Sequence, residues 1–277
     1  MHSLGILLIL FFCANGGVIE REDIMWSPEQ RIDVFFDETL LERHRPLVIK
    51  LLRFYNEATC LTFQTENIDV LSSSSFIPDE SKYRGQALYF DNSEMGCHTT
   101  HLGRFGIGDT VYLGRGCGQF GTVAHVVGHI LGLLHTHSRK DRDDYVTPTF
   151  ETPSSCSTRN CEAQRRNYDK YTGQQRDYGI PYDYGSIMHY NDDFITKDPL
   201  KQFTLGNMIW PSITDLLLIN NHYDCLQRCA HVTSPCQNGG FQSPENCKTC
   251  ICPFGLSGAD CAQRATGCGS TEYASLI

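Results

Sequence analysis

The chain has 277 residues, of which 40% are hydrophobic and 20% charged, and its formal net charge is −9. This composition is ordinary for a globular protein with one sizeable core and a small additional module. The acidic balance, without a run of lysine or arginine, gives no electrostatic reason to expect nucleic acid or an anionic membrane as a partner.

The first residues predict a secretory signal peptide over residues 1–17. An apolar run from Leu4 to Phe12 is too short to span a bilayer, and small residues follow it, with cleavage expected near Gly16 or Gly17. No second hydrophobic stretch competes as a membrane anchor. The 14 cysteines agree with export, because disulfides persist in an oxidising compartment. We therefore expect a secreted, extracellular protein.

The elements before residue 121 predict the core of an α+β domain. The segment from Arg31 to Phe36 is rich in β-branched and aromatic residues and predicts a strand. Between Glu38 and Glu57, apolar residues recur at helical spacing, and Pro46 suits the first turn because its missing N–H costs nothing there. Those apolar positions are Val48, Leu51, Leu52 and Tyr55. Further strands are predicted at residues 61–67, 87–91 and 110–113.

Three histidines in the stretch GTVAHVVGHILGLLHTH, residues 121–137, have spacings that suit one metal ion. His125 and His129 are four residues apart, so one face of a helix presents both imidazoles. Gly132 predicts the end of that helix, and the turn that follows can bring in His135 as a third ligand. Three histidines with one open position are the layout of a catalytic zinc site. The spacing follows the metzincin motif HxxxHxxGxxH, so we expect one bound Zn²⁺.

The residue after the first histidine departs from that motif. The metzincin motif places a glutamate there as general base, whereas this chain has Val126. Thr136 is a poor base, and His137 lies beyond the third ligand, so neither is an evident substitute. General acid–base catalysis contributes roughly 10²–10⁴-fold to rates, and one glutamate would perform both proton transfers. We expect peptide hydrolysis to be weak or absent.

Two further runs closely resemble the astacin family of zinc metallopeptidases. They are SRKDRDDYV, directly after the third histidine, and PYDYGSIMHY, from Pro181 to Tyr190. The resemblance spans roughly Trp26 to Cys225 and implies a two-lobed α+β metzincin domain, which we place at residues 24–225. The active-site helix is expected to belong to the amino-terminal half, and the more irregular half after Gly132 is expected to close the cleft below it.

The resemblance also implies roles for individual residues. SIMHY is similar to the family's Met-turn, in which Met188 would form an apolar floor beneath the metal. Tyr190 matches the family tyrosine that can ligate zinc and then stabilise the oxyanion. Thr136 replaces a glutamate that, in the family, anchors the mature amino terminus.

Disulfide pairs within the domain are implied by the same resemblance. Cys60 is expected to pair with Cys225, and Cys97 with Cys117. Cys156 and Cys161 are close in sequence and are expected to close a small surface loop.

The chain after Cys225 changes in composition. Residues 229–261 resemble an EGF-like module, which has too little core to fold without disulfides. The usual order of such a module implies the pairs Cys229–Cys247, Cys236–Cys250 and Cys252–Cys261. Residues 262–277 are similar to the start of a CUB domain cut short, or form a tail. The pairing of Cys268 stays open, with an intermolecular bridge as one alternative.

Three functions are compatible with these features. The first is a secreted astacin-like protein that binds zinc and peptide but cleaves feebly or not at all, as Val126 indicates. The second is an active zinc endopeptidase for extracellular proteins, with the base supplied elsewhere or Val126 a sequence error. The third is an extracellular binding protein in which the large domain is a scaffold. Each function implies extracellular proteins or peptides as partners.

Overall fold

The computed structural model describes residues 17–71, 85–149, 167–191 and 193–266. Mixed helices and sheets within these residues confirm the predicted α+β class. The helices are α1 Arg45–Ala58, α2 Phe120–Ile130 and α3 Ile213–His222. The strands are β1 Gly17–Ile19, β2 Ile32–Asp37, β3 Asp69–Leu71, β4 Gln86–Asp91, β5 Cys97–Thr99, β6 Gly108–Leu113, β7 Leu133–Leu134, β8 Val146–Pro148, β9 Gln175–Arg176, β10 Phe194–Thr196, β11 Phe241–Gln242, β12 Cys250–Ile251, β13 Leu256–Ser257 and β14 Gln263–Arg264.

A five-stranded sheet in the order β3-β2-β4-β6-β5 organises the first half of the chain. The first four strands run parallel, and β5 pairs antiparallel with β6 at the edge. Every residue of the central strand β4 is buried, as expected for a strand covered on both faces. β6 alternates buried and half-buried residues, so it presents one face to the core.

The strand predicted at residues 61–67 is wrong. Phe63 forms only an isolated bridge with Ile32. The side-chain amide of Asn56, in α1, accepts from the Phe63 N–H at 2.7 Å and donates to the Phe63 carbonyl at 2.9 Å. Asn67 then takes a left-handed conformation with φ of 50°, which interrupts an extended chain. The strand that joins the sheet is β3. The other predicted strands correspond to β2, β4 and β6.

A single hydrophobic core joins the sheet to all three helices. α1 begins at Arg45, with Pro46 in its first turn as predicted. The four apolar positions predicted for α1, Val48, Leu51, Leu52 and Tyr55, are all 0% exposed. The indole N–H of Trp26 donates to the carbonyl of Ile130 at 2.8 Å, which fixes the amino-terminal segment against the end of α2.

The second half of the chain forms small sheets, one of which includes β1 from the amino-terminal end. β1 lies between β7 and β9 and pairs antiparallel with both, while β8 pairs with β10. Val18 in β1 is fully buried. β7 leads directly into His135, so pairing with β1 fixes the approach to this histidine.

Disulfides tie distant parts of the chain together. Cys60–Cys225 joins the end of α1 to the segment after α3 across 165 residues, and Cys97–Cys117 joins β5 to the approach to α2. The carboxyl-terminal region contains Cys229–Cys247, Cys236–Cys250 and Cys252–Cys261, with two small hairpins. Phe241 of β11 belongs to the same core as the large domain, so this region packs against it.

Several predicted features lie outside the described residues. They are the signal peptide up to residue 16, the cysteines at 156 and 161, and Cys268. Across the described ranges, no helix combines the length and the apolar character that crossing a membrane requires.

The amino-terminal turn of α2 packs tightly against backbone, which generates a stability prediction. A Cβ added at Gly121 would lie 1.8 Å from the carbonyl oxygen of Met208. Overpacking of this kind typically costs about 1–3 kcal/mol, and backbone cannot move aside as a side chain can. We expect Gly121→Ala to lower the free energy of unfolding by about 3 kcal/mol in urea denaturation, at the upper end of that range.

Gly118→Ala is the matched control. A Cβ at Gly118 would meet only the side chains of Arg43 and His44, at 3.6 and 3.8 Å. We expect its stability to stay close to that of the parent chain. Equal stability of the two variants would contradict the close packing of α2 on Met208.

Candidate metal centre

α2 and the turn after it bring three histidines together. His125 and His129 lie one turn apart in α2, and the helix ends at Ile130. Gly132 has φ of +86°, and a Cβ there would lie 3.0 Å from Nε2 of His222, so the reversal requires glycine. β7 then carries the chain back, and His135 follows it directly. The three potential ligand atoms lie within 4.8 Å of one another.

The distances between the ring nitrogens fit a shared cation. Nε2 of His135 lies 3.1 Å from Nε2 of His129 and 3.2 Å from Nε2 of His125. The Nδ1 atoms of His125 and His129 face the carbonyls of Ile187 and Leu133 at 2.8 and 2.9 Å. A carbonyl only accepts, so both Nδ1 atoms carry the proton and both Nε2 atoms present a lone pair. A proton on Nε2 of His135 satisfies at most one of these two lone pairs, whereas a metal ion can bind Nε2 of all three histidines.

Burial keeps these imidazoles neutral. It lowers the pKa of His125 and of His135, and it lowers the pKa of His129 to about 3, with His125 adding to the effect. A metal binds only the neutral ring, so protons do not compete for these nitrogens at neutral pH. Three neutral histidine nitrogens that converge in this way are a donor set suited to Zn²⁺.

Two positions around the cluster lack a carboxylate. Val126 follows His125 in α2, is 1% exposed and belongs to the hydrophobic core. Thr136 follows His135 and is buried, and its hydroxyl donates to Oγ of Ser186 at 2.9 Å. Neither residue can take up a proton from water at this site.

Met188 and Tyr190 lie where the SIMHY motif approaches the cluster. A Cβ added at Gly128 of α2 would be 2.8 Å from Sδ of Met188, so the glycine lets the buried methionine pack directly against the helix. The ring of Tyr190 is centred 4.7 Å from the ring of His135 and 6.3 Å from that of His125. The phenol therefore lies beside the metal ligands.

The two other histidines near the cluster are occupied by hydrogen bonds. Nδ1 of His137 accepts from the backbone N–H of Tyr190 at 3.2 Å, and its Nε2 donates to the carbonyl of Asn167 at 3.0 Å. His189 donates from Nδ1 to the carbonyl of Tyr190 at 2.6 Å and accepts at Nε2 from the Tyr182 hydroxyl at 2.7 Å. Burial also lowers the pKa of each ring. Both histidines hold the backbone of Tyr190 and neither offers a free lone pair for general base catalysis.

Sequence reasoning missed one polar group beneath the cluster. Asp215 is 1% exposed and accepts hydrogen bonds from the Ser186 hydroxyl and from the backbone N–H of Ile187, at 2.6 and 2.9 Å. The signal for it in the sequence is local. Ser212 and Asp215 form a capping box at the start of α3, a pattern of serine followed three residues later by an acid.

A family model for the peptidase family described as "Astacin" matches residues 18–224. Curated relatives include zinc metalloproteinases nas-31 and nas-32 of Caenorhabditis elegans. Each is 34% identical, over 252 and 256 residues that cover 87% and 88% of this chain. Zinc metalloproteinase nas-36 of Brugia malayi is 33% identical over 256 residues, which cover 85% of this chain. The matches cover 37%, 35% and 39% of these three relatives, so the chain corresponds to well under half of their length.

Among solved structures, the chain is similar to high choriolytic enzyme 1, a hatching enzyme zinc-protease from the medaka fish Oryzias latipes. The TM-score is 0.57 with 24% sequence identity, over 73% of this chain and 95% of that one. At this identity the similarity establishes a common fold, the astacin-like metzincin fold. The matched family model, together with this fold, establishes that the chain belongs to the astacin family of metallopeptidases.

Proposed function

We propose that this chain is a secreted member of the astacin family that binds one zinc ion and extracellular peptides or proteins, but hydrolyses peptide bonds feebly or not at all. The observation that carries the proposal is Val126, a buried apolar side chain at the position of the general base. The arrangement of His125, His129 and His135 supports retention of the metal.

Zinc held by three histidines supplies Lewis acidity, which activates water and polarises a peptide carbonyl. The residues of this chain supply the remaining functions. The three imidazoles would bind and orient the metal. The Tyr190 ring, centred 4.7 Å from the His135 ring, supports a role for its hydroxyl as hydrogen-bond donor to the carbonyl oxygen as negative charge develops there. No residue described around the cluster is free to accept a proton and return it to the leaving amine. In this proposal the chain keeps metal binding and polarisation of the peptide carbonyl but lacks a group for proton transfer.

Other features support an extracellular location and a modular organisation. Five disulfides among the described residues fit an oxidising compartment. The three disulfides between residues 229 and 261 support an EGF-like module, which commonly acts as a spacer or interaction surface. We extend the proposal to a role for this module in contacts with other proteins.

The names of the curated relatives favour one second candidate, an active zinc endopeptidase. In this alternative the base would come from a residue outside the described ranges or from the substrate. The rate at which the parent chain cleaves a protein substrate separates the two candidates.

The metal site generates the first prediction of function. We expect the purified mature chain to bind one zinc ion, measured by elemental analysis and by titration against a competing chelator. His129→Ala should weaken zinc binding more than about 100-fold, because even outer-shell changes at metal sites cost about 10–100-fold. His231→Ala, at an exposed histidine, is the control and should bind as the parent does. Equal zinc affinity of the two variants would refute the site.

A second prediction of function concerns Val126. We expect Val126→Glu to raise kcat/KM for cleavage of an unfolded protein substrate by about 10²–10⁴-fold, because the carboxylate restores proton transfer. Val126→Gln introduces a side chain of the same shape as glutamate without a basic oxygen, and it should stay as inactive as the parent chain. A chelator should abolish the acquired activity. If the parent chain cleaves as fast as Val126→Glu, the proposed impairment is wrong.

A third prediction of function concerns Tyr190 and is tested in the Val126→Glu variant. Removing one hydrogen-bond donor to an oxyanion typically costs about 10²–10³-fold in kcat. We therefore expect Tyr190→Phe to lower kcat by about 10²-fold with little change in KM and an unchanged zinc content. Tyr178→Phe serves as control and should leave kcat unaltered. An effect on KM alone would assign Tyr190 to substrate binding instead.

A further inference from the structure

A buried carboxylate lies beneath the metal centre without a cation beside it. Asp215 is 1% exposed, and no ion pair joins it in the part of the chain that the structure describes. Its oxygens instead accept three hydrogen bonds, from the Ser186 hydroxyl at 2.6 Å and from the backbone N–H groups of Ile187 and Ser212 at 2.9 and 2.8 Å. A buried charge is costly unless hydrogen bonds stabilise it, so these contacts require explanation.

One hydrogen-bonded path leads from Asp215 to the first metal ligand. Oδ2 of Asp215 accepts from the N–H of Ile187, and the carbonyl of the same residue accepts from Nδ1 of His125 at 2.8 Å. The carboxylate therefore fixes the backbone that orients the His125 ring. Groups that hold the outer nitrogen of a ligating histidine set both its tautomer and its direction.

A second path leads to the third metal ligand. Oδ1 of Asp215 accepts from Ser186, whose oxygen in turn accepts from the Thr136 hydroxyl at 2.9 Å. Thr136 directly follows His135, and its N–H donates to the carbonyl of Met188 at 3.1 Å. The hydroxyl of Ser186 also accepts from the N–H of Met188 at 3.0 Å. Asp215 is thus linked to the segment that orients His125 and, through Ser186 and Thr136, to the segment that carries His135.

The negative charge of Asp215 is a second way in which this residue can act on metal binding. Three neutral imidazoles leave the two positive charges of a zinc ion uncompensated, and neither Val126 nor Thr136 brings a carboxylate. Burial, with Asp183 adding to it, raises the pKa of Asp215 to about 6, whereas the three hydrogen-bond donors around its oxygens, from Ser186, Ile187 and Ser212, favour the ionised form. Its hydrogen-bonded position under the ligands provides negative charge within the protein interior, where screening is weak.

From these contacts we propose that Asp215 is a positioning residue of the metal centre, which orients His125 through Ile187 and His135 through Ser186 and Thr136 and supplies a compensating negative charge. The proposal rests on the proposed zinc binding of this chain. It concerns the affinity and geometry of the site, which are separate from catalysis.

The test compares full-length mature variants for zinc affinity and for the absorption spectrum of the cobalt(II)-substituted protein, which reports ligand geometry. Asp215→Asn keeps the shape of the side chain and removes its charge, and we expect about tenfold weaker zinc binding with an altered cobalt spectrum. Thr136→Val cuts only the path to His135 and leaves the α3 capping box intact. It should weaken zinc binding by about threefold or more.

Asp183→Asn is the matched control. Asp183 is another acid close to this segment, but its carboxylate accepts from the N–H of Gly185 and from the Thr214 hydroxyl. Its backbone carbonyl, which the substitution keeps, accepts from the N–H of Ser186 at 3.4 Å. Loss of the Asp183 charge lowers the pKa of Asp215 and so favours its ionised form, and we therefore expect zinc binding no weaker than that of the parent chain, with an unchanged cobalt spectrum. The thermal midpoint of each metal-free variant is measured alongside.

The outcomes are distinct. The inference is overturned if Asp215→Asn and Thr136→Val both match the parent chain in zinc affinity and cobalt spectrum. This holds even if metal-free Asp215→Asn melts earlier, because a lower thermal midpoint alone shows only a structural role. If Asp215→Asn does not fold, the zinc affinity and cobalt spectrum of Thr136→Val test the inference alone, and values that match the parent chain overturn it. Absence of zinc binding in the parent chain would instead refute the proposed function, and the inference with it.

Discussion

The mutual approach of three histidine nitrogens is the constraint on which the rest of the structure depends. Nε2 of His135 lies 3.1 and 3.2 Å from the corresponding atoms of His129 and His125, and backbone carbonyls hold the protons of these two residues on the opposite side of each ring. Three rings, two on α2 and one directly after β7, meet at these distances only if the surrounding fold holds each of them in place. The core around α2, the turn at Gly132 and the pairing of β7 with β1 do so.

Binding a metal and using it for hydrolysis place different demands on a protein, and the proposed function of this chain separates them. Metal binding requires neutral imidazoles in fixed directions, which burial and the carbonyls of Ile187 and Leu133 provide. Hydrolysis of an amide also requires a group that takes and returns a proton. In the proposed function, Val126 takes the place of that group without disturbing the first requirement, because an apolar residue is stable on the buried side of α2. The histidines nearby do not compensate, since both ring nitrogens of His137 and of His189 already bind other groups.

The parts of this architecture that depend on local periodicity could be predicted from the sequence. The i, i+4 spacing of His125 and His129 places both on one helix face, and the apolar spacing of residues 48–55 predicts the buried side of α1. Residues 61–67 could not be assigned correctly, because the side chain of Asn56 binds the backbone of Phe63 in place of a neighbouring strand. Periodicity does not report such side-chain competition.

Long-range polar contacts could not be predicted either. Asp215 lies far from the histidine motif in the sequence, and only the capping box with Ser212 marks it as more than an ordinary helix residue. Its contacts with Ser186 and Ile187 arise from the packing of α3 against the SIMHY segment. Local sequence patterns hold no information on such packing, whereas the resemblance of SIMHY to a known motif did locate Met188 and Tyr190 beside the histidines.

The packing of Phe241 into the main core has a consequence for the geometry of the whole chain. A module joined only by a flexible segment would sample many orientations, but a shared hydrophobic core and the hydrogen bond from Arg228 to the carbonyl of Cys60 hold residues 229–266 against the large domain. A partner bound by residues 229–266 would therefore be presented at a set distance and angle from the histidine cluster. The effective concentration of that partner at the cluster would be set by the fold and not by the length of a linker.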